Sequence, residues 1–232
     1  MNMYDNIINL IDSLEFQFWW PVDIEYHNKN NGDWRVEIII GAILTQNTKW
    51  DFVEKNINFL KEKNFIFRLE NIKNLDPEDI KVPFKNRKLE TLKELSNFII
   101  NKYGSLDNFS KNDLYKIREE LLNINGIGKE TADAIILYSI EKPIFVVDYY
   151  TKLFFNKFIE YDKLRIEIEE IVKNNINNIE KLFLDKLKNY KEIKYPFLSV
   201  FDLRKNIDYD KKLVIIYKEL HAMIDIKMKS LK

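Results

Sequence analysis

The sequence predicts an all-α fold with at most trivial β content, and three observations carry this. Apolar residues recur at helical spacing, as in Ile7, Ile8, Ile11 and Leu14, or in Leu114, Ile117 and Leu121. Helix start and stop signals punctuate the chain at Asp76-Pro77, Tyr103-Gly104 and Pro143. The clear extended segment, IFVVD at 144–148, is short.

In chain order, residues 3–16 form an amphipathic helix. QFWWP (17–21) follows, and then a polar stretch, DIEYHNKNNGD, with the composition of a loop. WRVEIIIGAIL (34–44) is apolar enough for a strand or a buried helix; its length favours helix and its isoleucines favour strand. TQNTKW (45–50) leads into a helix that runs through Leu60, and 67–75 is a short helix. Asp76-Pro77-Glu78 starts another, with Asp as the cap and Pro in the first turn. PFKNRK (83–88) opens a helix that reaches Lys102 and stops at Gly104. Residues 111–123 are helical, as are Lys129 to Ile140, where Glu141-Lys142-Pro143 breaks the run. Beyond IFVVD, helices are expected at 149–158, 162–174 and 210–228. Residues 174–209 are rich in Asn and Lys, poorly patterned, interrupted by Tyr195-Pro196-Phe197, and without an assigned role. No repeat and no clear linker is visible.

The 232 residues suffice for one large domain or two small ones, and 46% hydrophobic residues supply a full core. The 37 basic and 37 acidic side chains cancel, so no global field marks or excludes a nucleic-acid partner. Without cysteine, disulfides, thiol catalysis and cysteine-ligated clusters are excluded. The two histidines, His27 and His221, are too far apart to read as a metal motif, so no metal and no cofactor is expected. The amino-terminal MNMYDNIINLIDSLEF is amphipathic rather than continuously apolar, so neither signal peptide nor membrane span is expected. The default expectation is a soluble cytoplasmic protein.

NINGIGKETADAI (123–135) places two of the chain's five glycines two residues apart between helices. Positive φ at Gly126 and Gly128 would make a tight turn whose amides, at the start of the next helix, hold an anion. Lys129 and Lys111 could add phosphate contacts. From the glycines alone, a plain interhelical turn is the favoured reading.

The longer stretch LLNINGIGKETADAIILYSIEKPIFVVDYYT resembles the helix–hairpin–helix, Gly/Pro-rich loop and aspartate of the endonuclease III superfamily of DNA glycosylases. Asn125-Gly126-Ile127-Gly128 is the hairpin, Pro143 lies in the Gly/Pro loop, and Asp148 stands at the position of the catalytic aspartate. GAILTQNTKW matches the superfamily's early helix–loop segment, so the resemblance covers most of 32–158. It implies a two-lobed helical fold, with a six-helix lobe at 32–142 that contains the hairpin, and a second lobe from 1–31 plus 143–232. It also implies damaged double-stranded DNA as the partner, held in a cleft between the lobes by a monomeric, nucleoid-associated enzyme.

Three departures refine the resemblance. The cysteine-bound cluster of many members is absent. The lysine nucleophile of bifunctional members is replaced by Glu130, which cannot form a Schiff base; Lys129 is one residue off, about 100° round a helix. QFWWP together with GAILTQNTKW looks most like the cluster-free 3-methyladenine DNA glycosylase III subfamily. That likeness implies a base pocket built from Trp19, Trp20, Pro21 and Trp50, with stacking and cation–π attraction for a flat cationic base. Asp148 would activate water or stabilise the oxocarbenium-like sugar. Gln46 and Asn47 would fill the space of the extruded base. Phe84 or Asn86 would probe the opposite strand, and Asn125, Gly126, Gly128 and Lys129 would hold the backbone.

Each role has a structural alternative. The tryptophans could fill cores, which is the preferred reading of Trp34, and Gln46-Asn47 could be a polar turn. Glu130 could be favourable charge in a first turn, and His221 is read as structural. Asp148 could cap a helix, a role compatible with catalysis. The function expected is a monofunctional glycosylase for alkylated purines such as 3-methyladenine. The alternatives are a monofunctional glycosylase for mismatched or deaminated bases, a noncatalytic helix–hairpin–helix DNA-binding protein, and a bifunctional lyase.

Overall fold

The computed structural model describes residues 2–231; Met1 and Lys232, the outer limits of the expected second lobe, lie outside the described residues. Among the described residues thirteen α-helices follow in order: α1 (Met3–Ser13), α2 (Ile24–Asn30), α3 (Trp34–Leu44), α4 (Trp50–Glu62), α5 (Leu69–Ile72), α6 (Lys85–Tyr103), α7 (Leu106–Ser110), α8 (Leu114–Leu122), α9 (Lys129–Ala134), α10 (Tyr149–Phe154), α11 (Tyr161–Asn174), α12 (Ile176–Leu187) and α13 (Tyr209–Lys229). The expected all-α class is what forms: no strand occurs among the described residues. Nor is any described helix long and apolar enough to cross a membrane.

The chain divides into two compact units, Met1–Pro21 with Glu141–Lys232, and Val22–Ile140. In the Val22–Ile140 unit, α3 is the central rod. Every residue from Val36 to Leu44 is buried. A helix buried all round needs no polar face, which is why its isoleucine run also fits a strand. The Asp33 side chain caps its start by accepting from the Arg35 N–H. α4, α6 and the segment after α9 pack around it. That segment, Ile135–Ile140, continues α9 in the wider π form and is wholly buried.

The unit built from both chain ends centres on α13, in which Leu213 to Leu220 are buried in an unbroken run. α1 packs on it through Met3, Ile7, Leu10 and Ile11, and begins with a reciprocal capping box between Asn2 and Asp5. α10 and α12 cover other faces.

Several local expectations need correction. The polar stretch after Pro21 is not all loop, because it contains α2. Asp23 caps that helix, and Asn31 ends it in the left-handed region at φ 54°. Tyr26 Oη donates to the carbonyl of Phe65, and His27 Nε2 lies 2.8 Å from Glu37 Oε2, so residues 22–31 group with the Val22–Ile140 unit. Residues 174–209 contain α12, whose Ile176, Ile179, Phe183 and Leu187 form a buried stripe, and a 3₁₀ turn at Val200–Arg204. The helix expected at Asp76 is a three-residue 3₁₀ turn, Pro77–Asp79. The helices expected at 3–16 and 149–158 end at Ser13 and Phe154, and α7 is an addition.

Candidate active site

In the Val22–Ile140 unit, α8 and α9 are the two helices of the hairpin. An ion pair with a buried carboxylate joins them: Arg118 Nε is 2.6 Å and Nη2 3.1 Å from the two carboxylate oxygens of Asp133. Between them, Gly126 has φ +89°. A Cβ there would sit 2.3 Å from Thr91 Oγ1, so glycine is required twice over. Gly128 differs from expectation: its φ is −93°, ordinary for any residue, and nothing lies within 4 Å of a Cβ built on it. Its missing side chain instead leaves the amino end of α9 open. Lys129 and Glu130 form the first turn of that helix, and Asn125 is exposed beside it.

The hairpin is braced by two neighbouring elements. From α6, Thr91 Oγ1 donates to the carbonyl of Asn125 at 2.9 Å, and Glu94 accepts from the Asn125 N–H at 3.3 Å. From the loop after α3, Gln46 Nε2 donates to the carbonyl of Gly126 at 2.8 Å and to Thr131 Oγ1 of α9 at 2.9 Å. Gln46 is therefore tied to the hairpin, whereas Asn47 is exposed at the loop's tip with φ +50°.

The same loop is held from below by Lys88 of α6. Its ammonium donates to the Leu44 carbonyl at 2.8 Å and to Thr48 Oγ1 at 2.7 Å, satisfying a carbonyl at the end of α3. Burial pushes this lysine down to about 8. The sequence reading missed Lys88 and Thr91. A signal for the lysine was present, because Lys88, Leu92 and Leu95 share one apolar face of α6. Phe84, just before α6, is 66% exposed with φ +60°. A phenylalanine that is both exposed and left-handed is presented outward rather than used for packing. Trp50 begins α4 and is half-buried.

In the other unit, Asp148 caps α10. Its Oδ1 accepts from the Thr151 N–H at 2.7 Å and from Thr151 Oγ1 at 2.8 Å, and Oδ2 accepts no hydrogen bond among the described residues. Capping thus fixes one oxygen and leaves the other available for chemistry. Trp19 and Trp20 lie with ring centroids 5.5 Å apart at 49°; Trp20 is buried, Trp19 half-buried and Pro21 exposed. Behind Trp19 is a hollow of about 10 Å³, also lined by Phe197 and Glu219, which has room for one water and not for a base. His221, with Nε2 buried, is part of the packing of α13.

The family model for the HhH-GPD superfamily base excision DNA repair protein matches residues 40–178. MJ1434 of Methanocaldococcus jannaschii, named for DNA repair glycosylase activity, is 39% identical over 180 residues, which cover 72% of this chain and 75% of that protein. A thymine/uracil-DNA glycosylase of Methanothermobacter thermautotrophicus is 32% identical over 114 residues, 48% of each chain. The crystal structure of the H. pylori 3-methyladenine DNA glycosylase MagIII bound to 1,N6-ethenoadenine superimposes with a TM-score of 0.72 at 25% identity, covering 100% of this chain and 99% of that one. The chain belongs to the HhH-GPD superfamily of base excision DNA repair proteins and is a DNA glycosylase of the endonuclease III type.

Proposed function

We propose that this glycosylase is monofunctional and excises alkylated purines such as 3-methyladenine. The observation that carries the reading is the likeness, along the whole chain, to a glycosylase named for 3-methyladenine, combined with the paired indoles of Trp19 and Trp20. A 3-methyladenine is a flat cation and already a good leaving group. The protein then has to extrude it, stack it and stabilise the sugar, with little need for a general acid. Aromatic faces suit the first two tasks, each cation–π contact contributing about 0.5–2 kcal/mol. Asp148 suits the third, because its Oδ2 is free of partners and its position is fixed through Oδ1. Glu130, where bifunctional relatives place the nucleophile, supplies no amine for a Schiff base.

A second reading, excision of mismatched or deaminated bases, draws on the partial likeness to the thymine/uracil-DNA glycosylase. A neutral base is a poorer leaving group and requires both donors and acceptors along its edge, whereas an indole offers one donor and no acceptor.

The test is base release from DNA methylated at many positions, followed by chromatography, with Asp148→Asn alongside. Free 3-methyladenine from the wild type, an intact backbone, and a loss of at least about 100-fold in the variant with DNA binding kept are the expected results. Release of uracil or thymine from mismatched duplexes instead would replace this reading with the second. Borohydride trapping is expected to leave no covalent adduct; an adduct at Lys129 would make the enzyme bifunctional.

A further inference from the structure

The Trp19–Trp20 segment has no secondary structure of its own to hold it. What holds it is Glu219, a buried carboxylate on α13. Its Oε2 accepts from the Gln17 N–H at 2.8 Å and its Oε1 from the Phe18 N–H at 3.0 Å. Both oxygens of one side chain are thus spent on two consecutive amides. Phe18 adopts φ +50°, a left-handed conformation rare for phenylalanine, and its ring stacks on Phe201 at 5.6 Å and 16°. The turn at Phe18 determines the direction in which the backbone delivers the next two residues, the indole pair.

We propose that Glu219 is a positioning residue for base recognition: its carboxylate fixes the turn at Gln17-Phe18 and thereby the orientation of Trp19 and Trp20, and gain of a proton loosens that orientation. The proposal rests on the reading of the indole pair as a base-binding surface. A carboxylate can accept from two amides at once. A protonated carboxyl turns one oxygen into a donor and leaves one buried N–H without its acceptor. Burial raises Glu219 to about 7, so the change falls near neutrality. The surrounding charged and titratable groups are Lys218 and Glu141, which pair at 2.7 Å, the Asp202–Lys205 pair, Glu15, and the phenols of Tyr190 and Tyr195. The phenols are raised and stay neutral. Lys218 is lowered by burial, so its titration has to be separated from that of Glu219 by substitution.

The two adjacent indoles form an exciton-coupled pair whose circular dichroism reports their mutual orientation without DNA. In the wild type this signal is expected to change with a midpoint near 7, and in Glu219→Gln to be independent of pH. In parallel, KM for base release from methylated DNA is expected to rise on the order of tenfold below the midpoint, and at all pH values in Glu219→Gln, with kcat less affected. If Glu219→Gln does not fold, Lys218→Met separates the two titrations, because a transition that belongs to Glu219 persists in it. A wild-type signal flat across neutrality, or a transition that persists in Glu219→Gln, overturns the proposal whatever the substrate. A dichroism transition not followed by KM overturns the link to base recognition and, with it, the indole pair as the base-binding surface.

Discussion

The Asp148 carboxylate spends one oxygen on Thr151, and the proposed chemistry falls to the other. The hairpin glycines divide their work between two positions. Gly126→Ala meets both an unfavourable φ and Thr91, and is expected to lose about 1–3 kcal/mol in denaturant unfolding. Adding Thr91→Ala should restore the part due to the clash and not the part due to φ. Gly128→Ala should leave stability unchanged and weaken DNA binding, because a methyl group there intrudes only on what approaches α9 from outside. Glu219 carries a different signature. Its pKa is raised from 4.5 to about 7 on folding, so the folded state binds the proton more tightly. Stability contributed by the protonated form is full below the unfolded value and is lost as pH rises through 7, by on the order of 3 kcal/mol. Thermal unfolding should show this decline in the wild type and not in Glu219→Gln. The segment is thus held best at the pH where burying its anchor costs most.

At the scale of elements, α6 has the role of a common support. Lys88, Thr91 and Glu94 lie on successive turns and reach the loop after α3 and the hairpin before α9. Gln46 closes the arrangement by joining that loop to the hairpin directly. Lys88→Met keeps the apolar stem and removes both hydrogen bonds, leaving the Leu44 carbonyl without a donor. We expect about 1–3 kcal/mol of lost stability in urea melts and weaker DNA binding, with little change in single-turnover rate at saturating DNA. A drop in that rate as large as for Asp148→Asn would mean that Lys88 acts in the chemistry itself.

At the scale of the whole molecule, the charge balance sets a limit on how DNA is held. With 37 basic and 37 acidic groups, most phosphate affinity has to come from local donors rather than a global field. Phosphate held by the hairpin amides, as proposed, would release few counterions, so the salt dependence of binding should be shallow. Lys129→Gln is expected to lower the slope of log K against log salt by about 1, the value of one phosphate ion pair. The unit built from both chain ends has a further consequence. α1 contributes Met3, Ile7, Leu10 and Ile11 to its core. At about 1.5–3 kcal/mol for each buried side chain, deletion of α1 removes an amount comparable to a domain's whole stability. The truncated protein should fail to fold, as measured by loss of cooperative melting.

What the sequence determined by itself was local: helical periodicity, the helix end at Gly104, and the spacing from the hairpin to Asp148 that carries the family resemblance. These are legible because each depends on residues a few positions apart. The tertiary structure decided what depends on partners far away in the chain. α2 is hidden in a polar stretch because Tyr26 and His27 find their partners at Phe65 and Glu37. α12 is hidden because Asn and Lys crowd its exposed face around a buried stripe. Gln46, expected to fill the space of an extruded base, is tied to the hairpin 80 positions on, a bond that its own neighbourhood does not announce. Glu219, 202 residues from Gln17, carries no mark in its own neighbourhood, since any helical Glu reads as a surface charge until folding buries it against two amides.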